Sequence, residues 1–135
     1  MASQAVSYVL DTSAYSAFNR GDARLKTFFS SRHSLFLPLF VIGELRAGFA
    51  AGSQQSVNEA LLQRFLDSPN VQIIMPTLKT TQLFAGIFAA LRSQGTPIGT
   101  TDIWIAASTI EQNAQLVTLD ADYEHIKGLK RAKLT

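Results

Sequence analysis

Four acidic residues stand where little in the sequence offsets their charge: Asp11, Glu44, Asp102 and Asp120. The chain has 135 residues and only ten acids, so these four are a large share of its negative charge. Asp11 ends the apolar run Ala5-Val-Ser-Tyr-Val-Leu, and Asp120 ends Gln115-Leu-Val-Thr-Leu. Glu44 lies within an apolar helical pattern, and Asp102 precedes Ile-Trp-Ile-Ala-Ala. A buried, unpaired carboxylate is costly and needs a partner, a proton or a metal ion. Two unit charges 4 Å apart repel by roughly 4 kcal/mol at an effective dielectric near 20. If the four converge, a divalent cation is the natural partner. Mg²⁺ and Mn²⁺ prefer oxygen ligands, and a carboxylate-held dication activates water and offsets charge on a phosphodiester.

Each acid also has a plain structural role open to it. Asp11 can cap the helix that begins at Thr12-Ser13. Asp102 can complement a helix dipole from the first turn. Asp120 sits in Asp-Ala-Asp, an ordinary turn sequence, and Asp122 is an alternative for its place. Glu44 can form a buried ion pair. On a 3.6-residue period its neighbours are Phe40, Val41, Ala47, Gly48 and Ala51, with Arg46 on the opposite side. Glu44 is therefore predicted to face inward.

The elements that must position these residues alternate between strand and helix. Residues 5–10 read as a buried strand. Ser13 to Asn19 reads as a short helix, and Asp22 as the cap of a second one carrying Leu25, Phe28 and Phe29. Ser34 to Leu37 is a short strand. Pro38 suits the first turn of a helix reaching about Ala51, with Gly52 as its stop. Ser56 to Asp67 is an amphipathic helix. Val71 to Met75 is a strand between Pro69 and Pro76. Thr77 to Ser93 is a long helix, and Gly95, Pro97 and Gly99 mark a loop. Thr101 to Gln112 is a helix, Gln115 to Leu119 a strand, and Ala121 to Lys127 a last short helix. The tail from Lys127 to Lys133 adds an edge strand or remains mobile.

This alternation predicts an α/β fold, a three-layer α/β/α sandwich around a parallel sheet of four to five strands. It forms one domain over residues 1–135. Ligands in such sheets bind beyond the carboxyl ends of the strands, which is where Asp11 and Asp120 fall. There is no cysteine, which excludes disulfide and thiolate-metal chemistry. No apolar stretch reaches the length of a membrane span. Met1-Ala-Ser-Gln lacks the pattern of a signal peptide, so a cytoplasmic location is expected. The net charge of +2 is a weak pointer to an anionic partner. His33 and His125 show no ligand spacing, Ser13 lacks a nucleophile elbow, and no glycine-rich phosphate loop is present. A phosphorylatable receiver domain fits poorly, because Asp11 stands alone and Met75-Pro76 follows the third strand.

Taken together, Asp11-Thr-Ser, Glu44-Leu-Arg, Asp102-x-x-Ile-Ala-Ala and Leu-Val-Thr-Leu-Asp120-x-Asp-Tyr resemble the PIN domain. More narrowly, the chain resembles the VapC toxins of type II toxin–antitoxin (VapBC) systems, over nearly its whole length. The resemblance implies a PIN-like fold and an endoribonuclease dependent on Mg²⁺ or Mn²⁺. It implies cleavage of tRNA or rRNA that blocks translation, a small VapB-like antitoxin as partner, and a homodimer. Asp11, Glu44, Asp102 and Asp120 match the four acidic positions as metal and catalytic residues, with Asp11 and Asp102 as the principal metal ligands. Ser13 matches a hydroxyl position near the site. The chain departs from many relatives in having Thr101, where they carry Asn before the third acid. The alternative is a non-cleaving PIN-like module that binds RNA or a regulatory partner.

Overall fold

A computed structural model describes residues 6–30 and 32–134. The first strand, β1 (Ser7–Leu10), passes directly into α1 (Thr12–Asn19) through Asp11. A 3₁₀ turn at Ala23–Leu25 leads to β2 (Ser34–Pro38), α2 (Leu39–Ala51) and α3 (Gln55–Leu66). The edge strand β3 (Val71–Ile74) precedes α4 (Leu78–Gln94) and α5 (Thr100–Glu111). The last strand is β4 (Gln115–Val117), followed by a 3₁₀ helix at Ala121–His125. The predicted start of β1 at Ala5 lies outside the described residues, as does the Met1-to-Gln4 segment.

The four strands are parallel in the order β3-β2-β1-β4. The chain builds outward from β1 to β2 and β3, then crosses back to place β4 on the other side of β1. That reversal creates the switch point at which open α/β sheets bind ligands. Both sheet faces are covered, which explains the nearly continuous apolar strand sequences. Val9 and Leu10 have no exposed surface, and each contributes roughly 1.5–3 kcal/mol through burial. Leu35, Leu37, Leu116 and Val117 continue this core, with Ala14 and Ala17 of α1 and Ile103, Ile105 and Ala106 of α5 packed into it.

The helix after Asp22 is shorter than its sequence pattern suggests. Only Ala23–Leu25 is helical, and Arg24 folds back to bond the Asp22 carboxylate at 2.7 Å. Phe28 and Phe29 follow in turns and pack as aromatic plugs, Phe29 stacked on Phe18 with ring centroids 3.8 Å apart. Thr77 is the cap of α4 rather than its first residue, in a reciprocal arrangement with Thr80. Gly95 closes that helix at φ 76°, a conformation glycine adopts without strain. The tail contributes a single parallel bridge to β4, between Leu116 and Arg131.

Candidate metal and catalytic site

Asp11 is held by the abrupt passage from strand to helix. Its backbone amide bonds the Val117 carbonyl at 3.3 Å, which keeps it in line with the end of β4. Its side chain then caps α1, accepting from the Ala14 amide at 2.8 Å and from Ser13 Oγ at 2.7 Å through the same Oδ1. Its second oxygen accepts from the Thr118 hydroxyl. Thr118 Oγ1 in turn accepts from the Asp120 amide at 3.0 Å, and Ser13 Oγ accepts from the Leu119 amide at 3.0 Å. Ser13 and Thr118 therefore pin the turn after β4 onto the turn after β1. Capping α1 and fastening the turn after β4 are thus combined in one side chain.

Asp120 caps the following 3₁₀ helix, accepting from the Asp122 amide at 2.9 Å. Asp122 itself is exposed, while Asp120 is half-buried. Asp102 lies in the first turn of α5 and accepts from the Tyr123 hydroxyl at 3.1 Å. Glu44 is exposed rather than inward-facing, which corrects the orientation expected from its apolar neighbours. Val41, Ile42 and Leu45 take the buried stripe of α2, so Glu44 lies beyond its edge. From there it accepts from Thr12 Oγ1 at 2.6 Å, the residue next to Asp11. An aromatic contact ties the last two acids together. Phe40, one turn before Glu44, stacks on Trp104, two residues after Asp102, at 5.2 Å and 16°.

The acids share a negative field. Burial pushes the Asp11 carboxyl above its ordinary range, hydrogen bonds from Thr118, Ser13 and Ala14 oppose this, and the charge of Asp120 adds to it. Burial likewise raises Asp102; the Tyr123 hydroxyl opposes the rise, while Asp120, Glu44 and Asp11 reinforce it. Tyr123 is itself pushed up, first by burial and then by Asp11 and Asp102, and so remains a donor. Among the described residues none of the four acids forms an ion pair; Arg46, for example, is engaged with Glu59 at 3.2 Å. The set is made only of oxygen donors, the chemistry that suits a hard dication. Among the described residues no three acidic or histidine side chains are already gathered as a metal cage. Neighbouring hydroxyls hold Asp11, Glu44 and Asp102, so a metal ion would have to compete for those oxygens.

Three hydroxyls in this network, Thr12, Thr118 and Tyr123, fall within the sequence motifs but were given no bonding role from sequence. Each has a local signal: Thr12 follows Asp11, Thr118 precedes Asp120 by two residues, and Tyr123 follows it by three.

The PIN domain family model matches residues 8–129. Ribonuclease VapC2 of Rickettsia felis is 28% identical over 102 residues, which cover 76% of this chain and 71% of that protein. The crystal structure of Rickettsia felis VapBC2 bound to a DNA fragment from its promoter superposes with a TM-score of 0.84 at 24% identity. The match covers 96% of this chain and all of that one. DNA-bound VapBC from Salmonella typhimurium gives a TM-score of 0.82 at 19% identity, covering 94% and 97% of the two chains. These likenesses extend along the sheet and helices that carry the acids, and the match over residues 8–129 assigns the chain to the PIN domain family.

Proposed function

We propose that this protein is a VapC-type endoribonuclease, the toxin of a type II toxin–antitoxin pair, dependent on Mg²⁺ or Mn²⁺. The observation that carries the reading is that Asp11, Glu44 and Asp120 all lie near enough to act on the Asp102 carboxyl, with no ion-pair partner among the described residues. Asp11 and Asp102 would hold the metal, with Glu44 and Asp120 completing its surroundings or orienting water. The bound ion supplies positive charge for activating water and stabilising a phosphodiester transition state. By donating to it, Thr118 and Ser13 aim Asp11 and oppose the protonation that its burial favours. Tyr123 does the same for Asp102, and the Phe40–Trp104 stack sets the distance between the helices bearing Glu44 and Asp102.

The expected substrate is tRNA or rRNA, and its cleavage would stop translation in the cytoplasm. The named relative and the VapBC complexes support a VapB-like antitoxin as partner. The working form is taken to be a homodimer. No helix among the described residues is long and apolar enough to cross a membrane. The test is incubation of purified protein with RNA and Mn²⁺, with and without EDTA. Metal-dependent cleavage that disappears in Asp11→Asn supports the reading; cleavage that survives EDTA overturns it. RNA bound but left uncut in Mn²⁺ would favour a binding module instead.

A further inference from the structure

The segment after the last 3₁₀ helix runs Lys127-Gly-Leu-Lys130-Arg131-Ala-Lys133-Leu. It is fastened along the outer edge of β4. The Leu116 amide bonds the Lys130 carbonyl at 2.8 Å, and the Ala132 amide bonds the Leu116 carbonyl at 2.8 Å. Leu129, Ala132 and Leu134 pack against the core, while Lys130, Arg131 and Lys133 are exposed. Among the described residues none of these three cations forms an ion pair. A run of like charges on an exposed edge repels itself, and a polyanion relieves that repulsion.

Register places this edge beside the acids. Leu10 pairs with Val117, and Leu116 pairs in parallel with Arg131. One residue beyond the first pair brings Asp11 level with Thr118. Two residues beyond the second carry the tail toward the same level at Lys133. With strands roughly 4.8 Å apart, the bridged Arg131 lies two strand spacings, about 10 Å, from Val9, two residues before Asp11. A chain whose reacting phosphate lies at the acids therefore has neighbouring phosphates within reach of the Lys133 and Arg131 side chains.

We propose that Lys130, Arg131 and Lys133 form a phosphate-binding track that holds single-stranded RNA leading to or from the acidic pocket. The choice of RNA as the polyanion rests on the ribonuclease reading; the track itself rests on charge, exposure and register. Contacts of this kind release counterions, with a slope of about −0.7 in log K against log salt per phosphate on a single strand.

The test is fluorescence anisotropy with a labelled single-stranded RNA in EDTA, titrated with salt from about 50 to 200 mM. One variant carries Lys130→Gln, Arg131→Gln and Lys133→Gln. An equal-charge control carries Arg20→Gln, Lys26→Gln and Arg32→Gln, which lie away from the acid-bearing strand ends. The track variant should lose about tenfold in affinity and flatten the slope by about 2, three contacts at about 0.7 each. The control should retain most of both, and both proteins should keep the circular dichroism of the parent. An unchanged slope in the track variant, or an equal loss in the control, overturns the proposal. Cleavage is not the readout, so the two readings fail separately. Salt-sensitive RNA binding without any cutting would sink the nuclease and leave the track. Metal-dependent cutting with an unaltered salt slope would do the reverse.

Discussion

Replacing Thr118 by Val removes one hydroxyl with little change of shape, and its consequences follow from two hydrogen bonds. Thr118 Oγ1 donates to the buried Asp11 carboxylate and accepts from the Asp120 amide at 3.0 Å. A hydrogen bond to a charged group contributes roughly 1.5–3 kcal/mol, and a neutral one about 1 kcal/mol. Thr118 and Asp120 are half-buried, so water recovers part of the loss. A net destabilisation of about 2 kcal/mol is expected near neutral pH, or a fall in Tm of about 8 °C for a chain of this size. The pH dependence gives the sharper test. The folded pKa of Asp11 is raised above its unfolded value, so in metal-free protein its contribution favours folding at low pH. That contribution is lost as pH rises through the folded pKa. Removing the Thr118 donor raises the folded pKa further and deepens the loss at neutral pH. Below the ordinary carboxylate pKa of about 3.9, Asp11 is neutral in both folded and unfolded chains. The gap between variant and parent should then shrink to about 1 kcal/mol, because the hydroxyl's bonds to a neutral Asp11 carboxyl and to the Asp120 amide are both uncharged and partly replaced by water. Urea melts in EDTA at pH 7.5 and pH 3.5 measure both gaps, and Thr118→Ser should recover most of the loss. Equal gaps at the two pH values, or a neutral-pH gap below about 0.5 kcal/mol, would refute the reasoning.

Mn²⁺ at about 100 times its Kd should stabilise the folded protein by about 2.7 kcal/mol; calorimetric scans of Asp102→Asn should show no such rise. In Tyr123→Phe the Asp102 carboxyl loses its donor, so its pKa climbs further. The acid limb of the cleavage pH profile should move to higher pH, and an unmoved limb would contradict the pairing. Glu111 accepts from both Thr77 and Thr80, joining the end of α5 to the start of α4. Glu111→Ala should cost about 1–2 kcal/mol in urea melts while leaving RNA affinity within about twofold, because the pair lies outside the acidic pocket.

Most of the fold was legible in hydrophobic pattern and turn chemistry. Val9-Leu10 and Leu35 to Leu37 read as strands because both sheet faces are covered there and the runs are apolar, whereas the edge strand Val71–Ile74 buries only Val71 and Ile74. Where the sequence misled, a side chain had a stronger bond elsewhere. The strand expected to run to Leu119 stops at Val117, because Thr118 turns its hydroxyl to Asp11, a partner far away in sequence. The helix expected after Asp22 shrinks to one turn as Phe28 and Phe29 are drawn into aromatic contacts. Glu44 illustrates the limit of helical periodicity. Its neighbours are apolar or small, yet the buried stripe is set by Val41, Ile42 and Leu45, and an acid beside it turns to the Thr12 hydroxyl. Asp11 and Asp120 shared a sheet edge by pattern alone; their hydroxyl partners depend on the β1–β4 register, which only the folded chain reveals.

The crossing back from β3 to β4 also has a bearing on synthesis. Asp11 leaves the ribosome early, but the Thr118 that bonds it follows 107 positions later. Closing a loop of that length costs about 4 kcal/mol in chain entropy, and contacts so distant in sequence form late. A nascent chain halted before residue 100 carries Asp11 and Glu44 but neither Asp102 nor Asp120. Such a fragment has no β4 to lie against β1 and only half of the carboxylates. Prematurely terminated products of this chain therefore lack half of the acidic site, which is complete only when the final strand has emerged and docked.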